Sequence, residues 1–241
     1  IYHVAGIAHS DNGKISKEKE KLYRSVNTDL TLETAKKAAK EGVKQFIFMS
    51  SRIVYGNSAK FGKIKIITKD TEPAPNNAYS DSKWQAERGL KDFEKQMKIC
   101  ILRPPMIYGK GSKGNYPILA KIAQKLPVFP KVDNIRSMLY IENLCEFVKL
   151  MIDNEETGIF WPQNSEYSNT SEIVKLIAEY HGKHIIITKS FNWGLKLLEN
   201  GTGLVDKAFG SLAYDHEMSK YKENYQVVDL KESIRRTEKQ I

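Results

Sequence analysis

QFIFMS (Gln45–Ser50), running directly into SRIVYG (Ser51–Gly56), decides the fold. An apolar run this short, closed by hydroxyl side chains, suits a strand buried on both faces, as in a parallel sheet covered by helices. Working outward, IYHVAG (Ile1–Gly6) reads as another buried strand cut off by glycine. Leu22, Val26, Leu30, Ala35, Ala38 and Ala39 then recur at helical spacing up to Gly42. Downstream, a polar stretch with Pro73 and Pro75 leads to a helix-prone segment from about Ser80 to Lys95, and KICIL (Lys98–Leu102) follows as a third strand. After Pro104 and Pro105 the alternation loosens, with helices near Tyr116–Gln124 and Asn143–Ile152 and strands near Met138–Ile141, Gly158–Trp161 and His184–Thr188. This order predicts an α/β fold with a parallel sheet, residues 1–105 forming the sheet domain and 106–241 mainly a smaller lobe interwoven with it.

Composition sets the outer bounds. The 241 residues are 41% hydrophobic and 10% aromatic, with only 8 Pro and 15 Gly, which excludes a disordered, collagenous or low-complexity chain. A chain of this size buries roughly 70 to 75% of its unfolded surface, enough to enclose a sizeable site. The net charge of +9 is concentrated in residues 1–69, where 14 Lys and Arg face 6 Asp and Glu. Such a face attracts anions or nucleic acid in principle. Here Lys14, Lys17, Lys19, Lys21, Lys36, Lys37 and Lys40 interleave with Glu18, Glu20, Glu33 and Glu41, the pattern of a solvated helix face. No nucleic-acid motif accompanies the charge, so nucleic acid is not an expected partner.

Cys100 and Cys145 lie in apolar sequence without CxxC or partner-His spacing, which fits a reducing cytoplasm and no disulfide framework. His3, His9, His181, His184 and His216 have no metal spacing, so no metal is expected and all five are read as structural. No apolar run approaches the ~18 residues of a spanning helix, and IYHVAG lacks the layout of a signal peptide. The stripe Trp193, Leu195, Leu198, Val205 and Phe209 is read as lobe core rather than as a membrane-surface helix.

The chemistry concentrates in AYSDSKWQAE (Ala78–Glu87). Tyr79 and Lys83, four positions apart, share one helix face. An ammonium beside a phenol favours the phenolate, so Lys83 is expected to lower the Tyr79 pKa and make it a usable base. A bare YxxxK is weak. It gains weight from Ser50 and Ser51 at the carboxyl end of a central strand, the usual place for chemistry in such sheets. Gly109, Gly111 and Gly114 also satisfy GxGxxG, yet no acidic ribose-binding residue follows in a βαβ unit, so this is read as a substrate loop.

FMSSRIVYG, a Pro-containing loop, NAYSDSKWQAE and ICILRPPMIYG together resemble the extended short-chain dehydrogenase/reductase family, in its nucleotide-sugar epimerase and dehydratase branch. The resemblance covers essentially the whole chain. It implies a Rossmann-like doubly wound parallel sheet, NAD as cofactor with NADP as the alternative, and a UDP-sugar substrate. Ser51, Tyr79 and Lys83 are implied as the catalytic trio: Tyr79 as acid/base, Ser51 on the reacting sugar oxygen, Lys83 on the nicotinamide ribose while tuning Tyr79. Ala5 and Gly6 would run along the cofactor, and Asn27 would brace its site. In the lobe, Asn115 and Arg136 would face the diphosphate, and Pro127 to Phe129 would pass the uracil ring. A homodimer and a cytoplasmic location are also compatible with the family.

The implied reaction is hydride transfer at C4 of a UDP-hexose or UDP-N-acetylhexosamine, as in 4-epimerases. A 4-keto-6-deoxy-sugar reductase in polysaccharide precursor synthesis is the alternative. A 4,6-dehydratase fits less well, because family dehydratases usually place Asp-Glu where this chain has Arg52 and Ile53. From another class, a non-catalytic NAD(P)-binding sensor would keep the fold, but it would not need Ser51, Tyr79 and Lys83 together. The chain also begins inside a strand, so the resemblance leads one to expect about sixty preceding residues carrying the first βαβ unit, and no activity from the chain without them.

Overall fold

The computed structural model describes residues 1–8, 15–195 and 204–239. His9, Lys14 and Leu198 lie outside them. The strands are β1 (Tyr2–His3), β2 (Gln45–Met49), β3 (Ile66–Ile67), β4 (Lys98–Leu102), β5 (Met106–Tyr108), β6 (Val128–Pro130), β7 (Met138–Tyr140), β8 (Gly158–Phe160), β9 (Ile186–Thr188) and β10 (Ala213–Tyr214). The longer helices are α1 (Lys17–Tyr23), α2 (Leu30–Lys40), α3 (Ala78–Leu90), α4 (Tyr116–Lys125), α5 (Ile141–Asp153) and α6 (Thr170–Tyr180), with further helices over Leu204–Phe209 and Leu230–Glu238. The chain divides into two units, one of residues 1–57, 70–105 and 147–162, the other of 58–69, 106–146 and 163–241.

The first unit holds a parallel sheet in the order β1-β2-β4-β8. Phe46, Ile47 and Phe48 of β2 are all essentially inaccessible, as a strand covered on both faces requires. Alternation sends Phe46, Phe48, Ile99 and Ile101 to one face, where Ala35 and Ala38 of α2 and Ala86 and Leu90 of α3 cover them. On the other face, Phe160 aligns with Leu102 across the β4–β8 ladder and meets Phe147 of α5 edge-on. Small residues allow the helices to approach: a Cβ at Gly89 of α3 would lie 2.7 Å from the Leu32 methyl carbons of α2.

Two expectations are corrected here. The strand expected over Ile1–Gly6 is ordered as a ladder only at Tyr2–His3, and it lies at the sheet edge with Ile1, Tyr2 and Val4 exposed. Only His3 turns inward, stacking on Phe46 and Phe48. The helical spacing from Leu22 to Ala39 is not one α-helix either, because a π-helical turn over Arg24–Asp29 joins α1 to α2.

The second unit carries three two-stranded parallel ladders, β5–β7, β6–β9 and β3–β10. Its core gathers Tyr108, Tyr116, Phe129, Met138 and Tyr140 with Ile173, Val174 and Ile177 of α6 and Leu230 and Ile234 of the C-terminal helix. Val205 and Phe209 join the interior as expected of the stripe, Phe209 lying 5.8 Å from the Phe129 ring. Trp193 does not: it is 69% exposed, a correction to the reading of that stripe as core.

Candidate active site

The first unit brings Ser51, Tyr79 and Lys83 to the carboxyl end of β2. Ser51 follows the strand and caps a short 3₁₀ turn over Arg52–Tyr55, its hydroxyl accepting from the Ile53 amide at 3.3 Å. Helix α3 starts at Asn77, which accepts from the Ser80 amide while the Ser80 hydroxyl reaches back to the cap, a reciprocal pair that fixes the first turn. Tyr79 sits in that turn and Lys83 one turn on. The Ser51 hydroxyl is near enough to the Tyr79 phenol to favour its ionised form.

The electrostatics differ from expectation. Burial pushes the Tyr79 phenol above its ordinary value, the Ser51 hydroxyl opposes this, and the neighbouring Tyr23, its ring 5.9 Å away, adds to the rise. Lys83 is not among the groups that lower it. The reason is where the ammonium goes: Nζ donates to the Met49 carbonyl at 2.9 Å and lies 4.7 Å from the Phe48 ring centroid, at the strand end. Burial also lowers the Lys83 pKa to about 8, against the opposing pull of Glu87.

Ala5 and Gly6 are exposed just beyond β1. A Cβ on Gly6 would lie 3.0 Å from Lys83 Nζ and 3.1 Å from Asn27 Oδ1, so the absence of a side chain keeps a cradle open above both. Asn27, wholly buried in the π turn, accepts from the Ile7 amide at 2.8 Å and donates to the Ile7 carbonyl and to Ser82 Oγ, each at 3.0 Å. Thr28 Oγ1 donates to the Ser82 carbonyl at 2.7 Å, and Ser82 Oγ to the Tyr79 carbonyl at 2.8 Å. The π turn thus ties the segment after β1 to the helix bearing Tyr79 and Lys83. Such turns often occur at functional sites; its extra residue was not readable from the spacing of apolar side chains.

The residues expected to hold a substrate lie in the second unit. Asn115 begins α4, but its side chain makes no capping hydrogen bond. Gly109, Gly111 and Gly114 form the connection from β5 to α4. Pro127 is exposed and accepts from the Ile186 amide, whereas Phe129 is buried in the core, so only its backbone lies along β6. Arg136 exchanges backbone hydrogen bonds with Ser168 and donates from Nη1 to the Ala208 carbonyl at 2.9 Å. Sequence reasoning missed Arg103 and Glu87, a buried pair next to the trio; RPPMIYG and the E closing AYSDSKWQAE were its only signals.

A UDP-glucose 4-epimerase of Vibrio cholerae is 33% identical over 225 residues, covering 89% of this chain and 68% of that protein. In structure, the chain resembles the UDP-glucuronic acid 4-epimerase from Bacillus cereus, solved in complex with NAD (TM-score 0.71, 17% identity, 98% of this chain and 71% of that one). It also resembles a dTDP-4-dehydrorhamnose reductase from Clostridium acetobutylicum (TM-score 0.73, 17% identity, 98% and 78%). The sequence profile of the NAD dependent epimerase/dehydratase family matches residues 1–160, the stretch that contains Gly6, Asn27, Ser51, Tyr79 and Lys83, and the chain belongs to that family.

Proposed function

We propose that this protein is an NAD-dependent 4-epimerase of UDP-hexoses or UDP-N-acetylhexosamines. The observation that carries the reading is the placement of Ser51 at the end of the central strand and of Tyr79 and Lys83 one helical turn apart on α3, with the buried Lys83 ammonium held at the Met49 carbonyl of that same strand. The residues present suit the cofactor. Gly6 leaves the space that backbone contact needs, Asn27 pins the adjoining Ile7, and the Lys83 ammonium supplies donors for ribose hydroxyls. Bound there, NAD would supply the acceptor and donor of the hydride exchanged with the sugar carbon.

The chain's own groups handle the proton. Tyr79 accepts the C4 hydroxyl proton as the carbon–hydrogen bond breaks and gives it back as that bond re-forms, which requires the phenol to be deprotonated first. Ser51 donates to the same sugar oxygen as its charge changes. Lys83 would hold the ribose through its ammonium, which the Met49 carbonyl keeps at the strand end. In the second unit, Asn115 and Arg136 would take the diphosphate oxygens and the backbone of Pro127–Phe129 the uracil ring. Free Cys100 and Cys145 suit a reducing, cytoplasmic setting.

The likeness to a dTDP-4-dehydrorhamnose reductase favours one second reading, reduction of a 4-keto sugar by the same three residues. Incubating the full-length protein with UDP-glucose, UDP-N-acetylglucosamine and NAD, and following the sugar H4 signal by NMR, separates the two. Epimer formation without net change in NADH supports epimerisation; stoichiometric NADH or NADPH oxidation with a 4-keto sugar supports reduction; neither would refute both.

A further inference from the structure

Behind the trio lies a charged network that the proposed chemistry does not use. Glu87 of α3 and Arg103, just past β4, have side chains only 2% and 4% exposed. Arg103 donates to Glu87 from Nη2 at 2.6 Å and from Nε at 3.1 and 3.2 Å, and from Nη1 to the Tyr55 hydroxyl at 2.5 Å. Tyr55 also accepts from Trp161 Nε1 at 2.8 Å, and the Ser50 hydroxyl donates to Glu87 Oε1. The guanidinium faces the rings of Tyr55 and Trp84. Backbone bonds complete the tie: Ser50 to Leu102, Arg52 to Pro104 and Arg103 to Phe160.

Desolvating two charges is weak evidence for stability, since apolar residues of similar volume often serve the fold as well. What the pair does uniquely is join the two elements whose separation sets the chemistry. Ser50 is adjacent to Ser51, and Glu87 lies one turn beyond Lys83 on the same face of α3. We propose that Glu87 and Arg103 are positioning residues, a buried ion pair that fixes the Ser51 strand end against the Tyr79–Lys83 helix and holds charge behind Lys83. This rests on the catalytic reading of the trio given above.

The charges around Lys83 give the proposal a signature that a merely structural pair would lack. Facing the ammonium are His3 from β1, held toward its neutral form by burial and by Lys83 itself, Asn27 from the π turn, Phe48 and the Met49 carbonyl from β2, and Glu87 from its own helix. Glu87 is the carboxylate that keeps Lys83 protonated against burial, with Arg103 beyond it. Glu87→Gln keeps the volume and leaves Arg103 charged, so both changes disfavour the ammonium.

The test uses the full-length protein with ¹³Cε-labelled lysine, Lys83 being assigned by its loss in Lys83→Arg. Lys83 of the parent titrates near pH 8, and Glu87→Gln moves that midpoint down by about one unit or more. In parallel, kcat falls at least about tenfold, the high-pH limb of kcat follows the NMR midpoint, and the KM for the sugar changes less than about twofold. An unmoved Lys83 midpoint in a folded variant, or parental kcat, overturns the proposal. Should Glu87→Gln not fold, Glu87→Gln/Arg103→Met removes both charges together: a reduced kcat with a near-parental Lys83 midpoint supports the proposal, and parental kcat overturns it. The NMR midpoint needs no turnover, so it fails independently of the catalytic reading, which Tyr79→Phe tests.

Discussion

The two units bury polar groups in different ways. In the first, the interior beneath the strand ends holds full charges, Arg103 against Glu87 and the ammonium of Lys83. In the second, apart from the Glu238 carboxylate against His181, the buried network among the described residues is neutral: Tyr108 bonds Ser233 and Asn164, Asn143 bonds Asn164 and the Val228 carbonyl, and Tyr225 bonds the Gln163 and Ser219 carbonyls. Neutral hydroxyls and amides satisfy one another at modest desolvation cost and fasten the C-terminal segment to its core. Burying a charge is much costlier and persists where a reaction or a binding event uses it. The buried charges of the first unit lie beside the candidate site, whereas the neutral network of the second holds its C-terminal segment in place.

The largest effect breaks the comparison at its functional end. Tyr79→Phe removes the proton acceptor and little volume, so turnover of the full-length protein falls by about 10²- to 10⁴-fold while NAD and UDP-sugar binding stay near parental. An unchanged steady-state rate would remove Tyr79, and with it the catalytic reading.

Next comes the cost of an orphaned charge. Arg103→Met leaves the Glu87 carboxylate buried without its guanidinium, and urea denaturation at pH 7 shows a loss of about 3 to 5 kcal/mol. Tyr108→Phe in the second unit takes one partner from the Asn164 amide and one from the Ser233 hydroxyl, which keeps its bond to the Leu230 carbonyl, and costs about 1 to 3 kcal/mol. Equal losses would erase the distinction between the charged and the neutral interior.

Legibility in the sequence follows the same division. β2 and β4 were readable because each is a contiguous apolar run, and the YxxxK spacing marked one face of α3, although that helix was expected from about Ser80 to Lys95 and runs over Ala78–Leu90, its start fixed by a cap at Asn77 that was not read. Ser51, Tyr79 and Lys83 followed from them. The Arg103–Glu87 pair joins residues 16 apart through tertiary packing, and the π turn at Asn27 adds one residue to a helix, which periodicity blurs rather than reveals. β3, paired to β10 across most of the second unit's sequence, has only two residues, too few for alternation to register. The tuning of Tyr79 by Lys83 was misjudged because sequence spacing gives the shared face but not the direction in which the Met49 carbonyl draws the ammonium.

A smaller effect has the opposite sign. Lys83 has a pKa depressed to about 8, so below that pH the fold bears the cost of a buried ammonium that the unfolded chain does not. Lys83→Met removes the cost, and the variant gains about 1 to 2 kcal/mol at pH 7 while losing activity, the trade expected where a site keeps a strained charge. The gain fades as pH rises above about 8, because the parent's lysine then becomes neutral in the fold. A loss of stability in Lys83→Met at pH 7 would show that the Met49 contact outweighs burial.

The smallest effect belongs to the second unit at high pH. Burial pushes Tyr108 and Tyr225 up to about 12, above the ordinary value of 10.0 that they regain on unfolding. A raised pKa on an acid means that the folded state favours the neutral phenol. Its stabilising contribution is therefore whole below pH 10 and is lost between about 10 and 12, as the unfolded chain ionises first. The first unit follows the same rule from a lower start, because Cys100, buried in β4, is pushed from 9.0 to about 12. The Cys100 contribution is isolated by comparing urea midpoints of parent and Cys100→Ala, whose difference should move in favour of the variant as pH rises above 9, whatever Lys83 adds to both. Tyr108→Phe, less stable at neutral pH, should fall less steeply between pH 10 and 12, with the gap to the parent narrowing by about 1 to 2 kcal/mol. A gap that stays constant across that range would show that the Tyr108 phenol does not stay neutral in the fold, and that the neutral network of the second unit is not what its burial implies.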